Sequence, residues 1–447
     1  MLRKIVMSGS GDQSIVVLGA AGLIGHFVAS ELSRRGFAVT AVARRFTVAQ
    51  REEFGDRARE VPIASLNVAE LAQLLRDTEA DIVVNCLGVL QDGPDDRTQA
   101  VHETFVQTLL DAMRACGRLV FLVHVSIPGA DHDDRTAFSR TKRNAERLIA
   151  ASGHPYAILR PGFVWAPAAY GGSALLRTLA VSPTALPASD NSRPFFAVAI
   201  EDVAETVAWL AQNNSAGVAV RWDVMEPQRR TVGDVVGSLR CWLGSSPGPR
   251  VTTPGVLLNL AAKAGDLAAW LGWKPPVRST ALGEMRRGVE GDPRSWMAAT
   301  GIVPRSLDDV LRERPATVQD QWFARLYGLK PLVIASLVAF WCVSGLIALT
   351  VAYEPAVAIL TSHGFAQSTA RAVTVTSSLL DIAVGLAIAM RRACRIGLLT
   401  GIAVSLGYMA SAAVITPDLW VEPLGALVKT GPAIVLMLVA LATLKDR

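Results

Sequence analysis

The sequence predicts a doubly wound α/β domain followed by an all-α four-helix transmembrane bundle. Three observations carry that expectation. Short apolar strand patterns alternate with helical ones from residue 15 to about 160, a glycine-rich turn follows the first of them, and four long apolar stretches fill the chain from Pro331 onward. A chain of 447 residues is too long for one ordinary core, so two or three folding units are expected. The formal charge of +5 and pI near 9.1 would suit nucleic acid, but 51% hydrophobic residues and a mean hydropathy of +0.34 point to lipid, and no nucleic-acid partner is expected. Cys86, Cys116, Cys241, Cys342 and Cys394 form no CxxC pair, which implies neither a zinc site nor a disulfide framework and fits reduced thiols in a cytoplasmic compartment. Glycines interrupt the apolar run from Ile15 to Ile24 that follows Met1-Leu2-Arg3-Lys4, so the start reads as cytosolic and not as a signal peptide.

Ile15-Val-Val-Leu18 reads as a buried parallel strand that runs directly into Gly19-Ala20-Ala21-Gly22-Leu23-Ile24-Gly25. A helix follows at once, with Ile24, Val28 and Leu32 recurring every four positions and Gly36 closing it before the strand Phe37–Ala43. This context gives the glycines their meaning. The first two let backbone approach a pyrophosphate, the third lets helix pack on strand, and the helix N-terminus offers amides and a favourable dipole to phosphate. The expected unit is therefore of the Rossmann type, holding a nicotinamide dinucleotide. After the second strand an NAD site wants a carboxylate for the ribose 2′-hydroxyl, whereas this chain has Ala43-Arg44-Arg45; two cations favour a 2′-phosphate, so NADP(H) is preferred over NAD(H).

Further units follow as strand Glu60–Ala64, helix Val68–Thr78, strand Asp81–Cys86, helix Thr98–Cys116, strand Leu119–Ser126, helix Phe138–Ala151 and strand Tyr156–Leu159. Ligands in such sheets sit outside the carboxyl ends of the strands, which is where Gly19, Arg44, Asn85, Gly88, Ser126 and Pro161-Gly162 fall. Asp131-His-Asp-Asp134 reads as a solvated turn and not a metal cluster, because consecutive loop residues rarely converge on one ion.

The run Gly19 to Gly25, Asn85-Cys-Leu-Gly88, Ser126, Lys142 and Leu159-Arg-Pro-Gly162 together resemble the extended and atypical short-chain dehydrogenase/reductase superfamily, nearest its NmrA-like branch and the relatives of the 39-kDa complex I accessory subunit. The resemblance covers roughly residues 14–230, and Phe195–Ala211 fits its smaller substrate-side segment. It implies that Ser126 orients a substrate oxygen and that Lys142 binds the nicotinamide ribose. Active members carry Tyr-x-x-x-Lys on a helix, but here the run is Phe138-Ser-Arg-Thr-Lys142, and a phenyl ring cannot exchange a proton. The family's loop after the Leu159–Gly162 strand lies near substrate, which makes Tyr170 a candidate substitute, set against a tyrosine simply packed in a loop; His124, two residues before Ser126, is a second.

Residues 231–330 form a tryptophan-rich connecting region, with Trp242, Trp270, Trp273, Trp296 and Trp322 and proline-rich breaks at residues 246–254 and 274–276. Gly255–Trp273 reads as an amphipathic or core helix packing against the α/β domain, and Val303–Glu313 as a last soluble helix. Residues 331–447 carry the four apolar stretches: Pro331–Tyr353, Ala372–Met390 with Asp381 inside, Ile396–Pro417, and Pro423–Leu444 with Lys429 inside. Arg325, Lys330, Arg391, Arg392, Arg395, Lys445 and Arg447 fall on one side; Glu354, Asp418, Glu422 and Arg371 fall on the other. That pattern predicts a multi-pass protein of the inner (cytoplasmic) membrane with both termini cytoplasmic. Asp381 and Lys429 lie at matching depth, so either they pair inside the bundle or Lys429 snorkels outward while Asp381 is protonated. Asp381-Ile-Ala-Val-Gly385, Glu422-Pro-Leu-Gly425 and Lys429-Thr-Gly-Pro432 resemble the four-helix DoxX-like membrane family, which implies an association with redox chemistry.

Two functions fit. One is an NADP(H)-dependent oxidoreductase acting on an apolar, membrane-accessible carbonyl or quinone substrate. The other, favoured by Phe138, is a non-catalytic NADP(H) sensor or assembly factor for a membrane redox protein.

Overall fold

The computed structural model describes residues 13–93, 97–213, 218–245, 248, 250–421, 425 and 427–445. The expected features at Met1–Lys4, Ser246, Pro247, Pro423, Glu422 and Arg447 lie outside the described residues. Two compact units emerge, one of residues 1–264 with 276–321 and the other of residues 265–275 with 322–447.

The first unit is built on a seven-stranded, all-parallel sheet. Its order runs Ala219–Val224, Tyr156–Pro161, Phe121–Val125, Ile82–Asn85, Ser14–Leu18, Ala38–Ala43, Ala58–Glu60. The first strand sits between the second and the fourth, so the connections reverse direction beside it and open a crevice at its carboxyl end. Apolar side chains cover both faces, as a doubly wound sheet requires: Ile15, Val17, Val28 and Leu32 pack in one layer, and Val16, Leu18, Leu109 and Ile149 in the other.

Two expectations shift. The third strand lies at Ala58–Glu60, ahead of the expected Glu60–Ala64, because Pro62 cannot donate to a ladder and Ile63–Ser65 turns instead. A seventh strand, Ala219–Val224, adds beside Tyr156–Pro161; its alternation of exposed and buried residues marks an edge strand.

Among the described residues, the second unit contains three helices long and apolar enough to cross a membrane: Val318–Leu349, Gln367–Ala389 and Cys394–Ile415. Of the expected fourth stretch, the described residues include an apolar helix of 13 residues, Thr430–Ala442. The first helix starts well before the expected Pro331 and carries that proline inside it. A tertiary amide is tolerated in a membrane helix where neighbouring groups satisfy the freed carbonyl. Glycines set the packing: a Cβ at Gly345 would meet the Ser378 carbonyl at 2.5 Å, and one at Gly397 the Ile388 amide nitrogen at 2.8 Å.

Asp381 and Lys429 are not brought together. Asp381 accepts a hydrogen bond from the Tyr408 hydroxyl at 2.8 Å, while Lys429 stands exposed immediately before the short last helix. The chain ends of this unit return to one side, where the Leu444 carbonyl accepts from Lys330 Nζ at 3.4 Å and from Arg391 Nη2 at 3.0 Å. Elsewhere in the unit, His363 Nε2 meets Asp418 Oδ1 at 2.9 Å.

Candidate cofactor and substrate site

Each glycine of the first turn has its own geometric reason. Gly19 sits at φ +84°, a conformation that side-chain-bearing residues avoid. At Gly25 a Cβ would stand 2.3 Å from the Gly19 carbonyl oxygen, so the helix could not close onto the strand. Gly22 faces open space apart from that same carbonyl at 3.2 Å, which leaves room for a phosphate. The Gly19 and Ala20 amides both donate to the Val42 carbonyl, at 2.9 and 3.0 Å, and so brace the turn. Helix Leu23–Arg34 then presents the amides of Leu23, Ile24 and Gly25, which have no acceptor within the helix because they form its first turn. Ala21 lies between the two groups. These residues fit a dinucleotide pyrophosphate. Arg44 and Arg45 stand exposed directly after the second strand, while the neighbouring Glu60 carboxylate is engaged by the Phe46 amide and Arg51, both at 2.7 Å.

Asn85 is buried at the end of the fourth strand and is spent on the turn: its Oδ1 accepts from the Leu87 amide at 3.1 Å and its Nδ2 reaches His124 Nδ1 at 3.2 Å. Gly88 follows, where a Cβ would lie 3.6 Å from Lys142 Nζ. Lys142, buried on helix Ala137–Ala151, donates to the Leu87 carbonyl at 3.1 Å and the Val125 carbonyl at 2.9 Å. Burial pulls its ammonium down to about 8.

His102 had no sequence signal. It lies in a π-helical turn, Ala100–Thr104, accepts from the Val89 amide at 3.1 Å through Nε2, and so donates through Nδ1 to the Thr141 hydroxyl at 2.8 Å. Burial, then the nearby Lys142 charge, holds it neutral at about 2. Its ring meets Phe138 edge-on with centroids 5.5 Å apart. His124 is likewise held well below its usual range, first by burial, and serves the Asn85 contact.

The carboxyl ends of the fourth, fifth and sixth sheet strands open onto an apolar cavity of about 270 Å³. Its walls include Leu90, Ile127, Phe138, Pro161, Leu176 and Phe195. Phe138 thus stands at the cavity wall where active relatives place a phenol. Ser126, buried, is fixed by its amide to the Leu159 carbonyl at 2.7 Å. Tyr170 is not among the lining residues, although Gly172, Leu175 and Leu176 of the following helix are. Two charged residues that the sequence did not single out also line the cavity, Glu284 and Arg287 on helix Ser279–Arg287. They are consumed locally: Arg287 bonds the Pro128 carbonyl at 3.0 Å and Glu284 at 3.0 Å, and Glu284 also takes the Thr136 hydroxyl. Asp131–Asp133 forms a short turn whose Asp131 engages Arg147 at 2.8 Å, and Asp134 pairs with the buried Arg143 at 2.9 Å.

Sheet order, glycine turn and crevice together define a nucleotide-binding domain of the Rossmann type. Residues 19–213 match the family model described as NAD(P)H-binding, and residues 338–438 match the DoxX-like family. The N-terminal part is therefore an NAD(P)H-binding domain and the C-terminal part a DoxX-like domain. Over 163 residues the chain is 29% identical to divinyl chlorophyllide a 8-vinyl-reductase, chloroplastic, of Cucumis sativus; the match covers 34% of this chain and spans 38% of that relative's length. Among solved structures, MoeE5 in complex with UDP-glucose and NAD aligns at TM-score 0.51 and 20% identity, covering 70% of this chain and 99% of that one. UDP-glucuronic acid 4-epimerase from Bacillus cereus aligns at TM-score 0.51 and 17% identity, covering 70% and 100%. At these identities the two structures establish the fold alone, a Rossmann-type α/β domain.

Proposed function

We propose that the chain is a membrane-anchored, NADP(H)-dependent reductase of an apolar carbonyl or quinone compound. The observation that carries this reading is the apolar cavity at the carboxyl ends of the strands, whose wall includes Ile127, the residue after Ser126, and Phe138, one helical turn before Lys142; Ser126 and Lys142 themselves are not among its lining residues. A hydride acceptor lying there would meet the nicotinamide of a cofactor whose pyrophosphate rests on Leu23–Gly25. The cofactor would supply the hydride. In this reading Lys142 holds the nicotinamide ribose and Ser126 orients the substrate oxygen. The proton comes from water, because position 138 has no phenol. The cucumber relative's name is that of a reductase, which agrees with this class. Arg44 and Arg45 support NADP over NAD. The return of Leu444 to Lys330 and Arg391 supports both chain ends facing the cytoplasm of an inner membrane, with the basic residues inward.

Phe138 favours a second reading, in which the domain binds NADP(H) without turnover and serves as a sensor or assembly factor. The two separate on one experiment. Detergent-purified full-length protein is titrated with NADPH, and cofactor oxidation is then followed over a panel of quinones and aldehydes. Turnover in the wild type establishes the reductase. Binding without turnover, in wild type and in Phe138→Tyr, rejects it in favour of the sensor, and failure to bind either nicotinamide cofactor overturns both.

A further inference from the structure

Helix Gly255–Trp270 was expected to be an amphipathic or core helix packed against the α/β domain, and it buries only a narrow stripe. Ala262, Gly265 and Ala269 are buried, and Leu258 on the same side lines the apolar cavity. The outer side is apolar and uncovered: Val256 is 70% exposed, Leu260 56%, Leu267 67% and Trp270 85%. At 3.6 residues per turn these four fall on one face. Lys263 falls within this face, between Val256 and Trp270, while Asn259 and Asp266 run along one edge of it, and Asn259 Oδ1 accepts from Arg286 Nη1 at 3.0 Å. A solvated helix would not place four large apolar side chains on one face, so the face has an occupant.

The end of the helix and the residues after it say which. Residues 265–275 belong to the same compact unit as the candidate spans. The Leu271 carbonyl accepts from the Arg391 amide at 2.9 Å, Trp273 Nε1 donates to the Ala389 carbonyl at 2.7 Å, and the Arg391 guanidinium lies over the Trp273 ring, 5.5 Å from its centroid. Ala389 is the last residue of the apolar helix Gln367–Ala389. The chain leaving helix Gly255–Trp270 is therefore tied to one mouth of a membrane-crossing helix, by a tryptophan and an arginine of the kind that settle at lipid headgroups.

We infer that helix Gly255–Trp270 lies in the boundary between lipid headgroups and acyl chains, with Val256, Leu260, Leu267 and Trp270 immersed and Lys263 reaching up to the headgroups. The occupant of the exposed face is the bilayer itself. The inference rests on the membrane unit and does not depend on the proposed reduction, since the readout below needs neither cofactor nor substrate.

The test uses the full chain with its exposed native thiol removed, Cys241→Ser, carrying Leu260→Cys or Leu267→Cys with a nitroxide label, reconstituted in phosphatidylcholine–phosphatidylglycerol vesicles. Label collisions with dissolved oxygen, which concentrates in acyl chains, are compared with collisions with a water-soluble nickel chelate, and the unsubstituted Cys241→Ser protein gives the background. Glu52→Cys on an exposed face of the α/β domain is the aqueous reference. The expected result is oxygen collisions exceeding nickel collisions several-fold at both helix positions, with the reverse at the reference. Nickel-dominated collisions at 260 and 267 place the face in water and overturn the inference. Suppression of both place it under protein, a second copy of this chain included, and overturn it equally.

Discussion

Arg44 and Arg45 are exposed directly after the second strand, and on the proposed NADP(H) reading they give a 2′-phosphate charge-assisted contacts that a 2′-hydroxyl does not receive. Arg44→Asp is expected to weaken NADPH binding by tenfold or more, on the order of 1.5 kcal/mol, and NADH binding far less, as read by fluorescence titration; equal losses would reject the role. Lys142 makes the site sensitive to pH. Its folded value of about 8 lies below the ordinary 10.5 because burial favours the neutral amine. The ammonium is the form that donates to a ribose, so the dissociation constant for NADPH should stay level below about 8 and rise with pH above it. A Lys142→Met variant should bind weakly with no such rise. At this scale legibility followed locality. Gly19, Gly22 and Gly25 were readable because their reasons lie within seven residues of chain. His102 and Arg287 were not, since their partners, Thr141 and Pro128, are far away in sequence and announce no pattern.

Strands and helices of the α/β unit were legible because parallel strands buried on both faces read as apolar runs and the helices between them carry a clear period. The edge strand Ala219–Val224, with charged Arg221 and Asp223 in it, has no such run and went unread. Between membrane helices the sequence hid the packing, which turns on single hydrogens. A Cβ at Gly385 would lie 2.4 Å from Cys342 Sγ and 3.0 Å from its amide nitrogen, across helices Val318–Leu349 and Gln367–Ala389. Gly385→Leu should therefore force these helices apart, at a cost of about 1–3 kcal/mol, and lower the thermal midpoint of the detergent-solubilised protein. Gly407→Leu, at a position where a Cβ would meet nothing within 4 Å, is the matched control and should not lower the midpoint.

At the level of the whole molecule the chain joins an NAD(P)H-binding domain to a DoxX-like membrane domain, and the join changes what concentration means for its substrate. The cavity lined by Leu90, Ile127 and Phe195 suits molecules that partition into lipid and leave little in water. An anchored protein then samples them in two dimensions, per lipid and not per litre. Adding inert detergent or phospholipid at fixed total substrate should lower the rate in proportion to the added amphiphile, while raising substrate and amphiphile together should leave it unchanged. A rate indifferent to amphiphile would mean a water-borne substrate and count against the reductase reading. On the reductase reading an apparent KM is accordingly a mole fraction, and values from two laboratories become comparable only once each is divided by the amphiphile present.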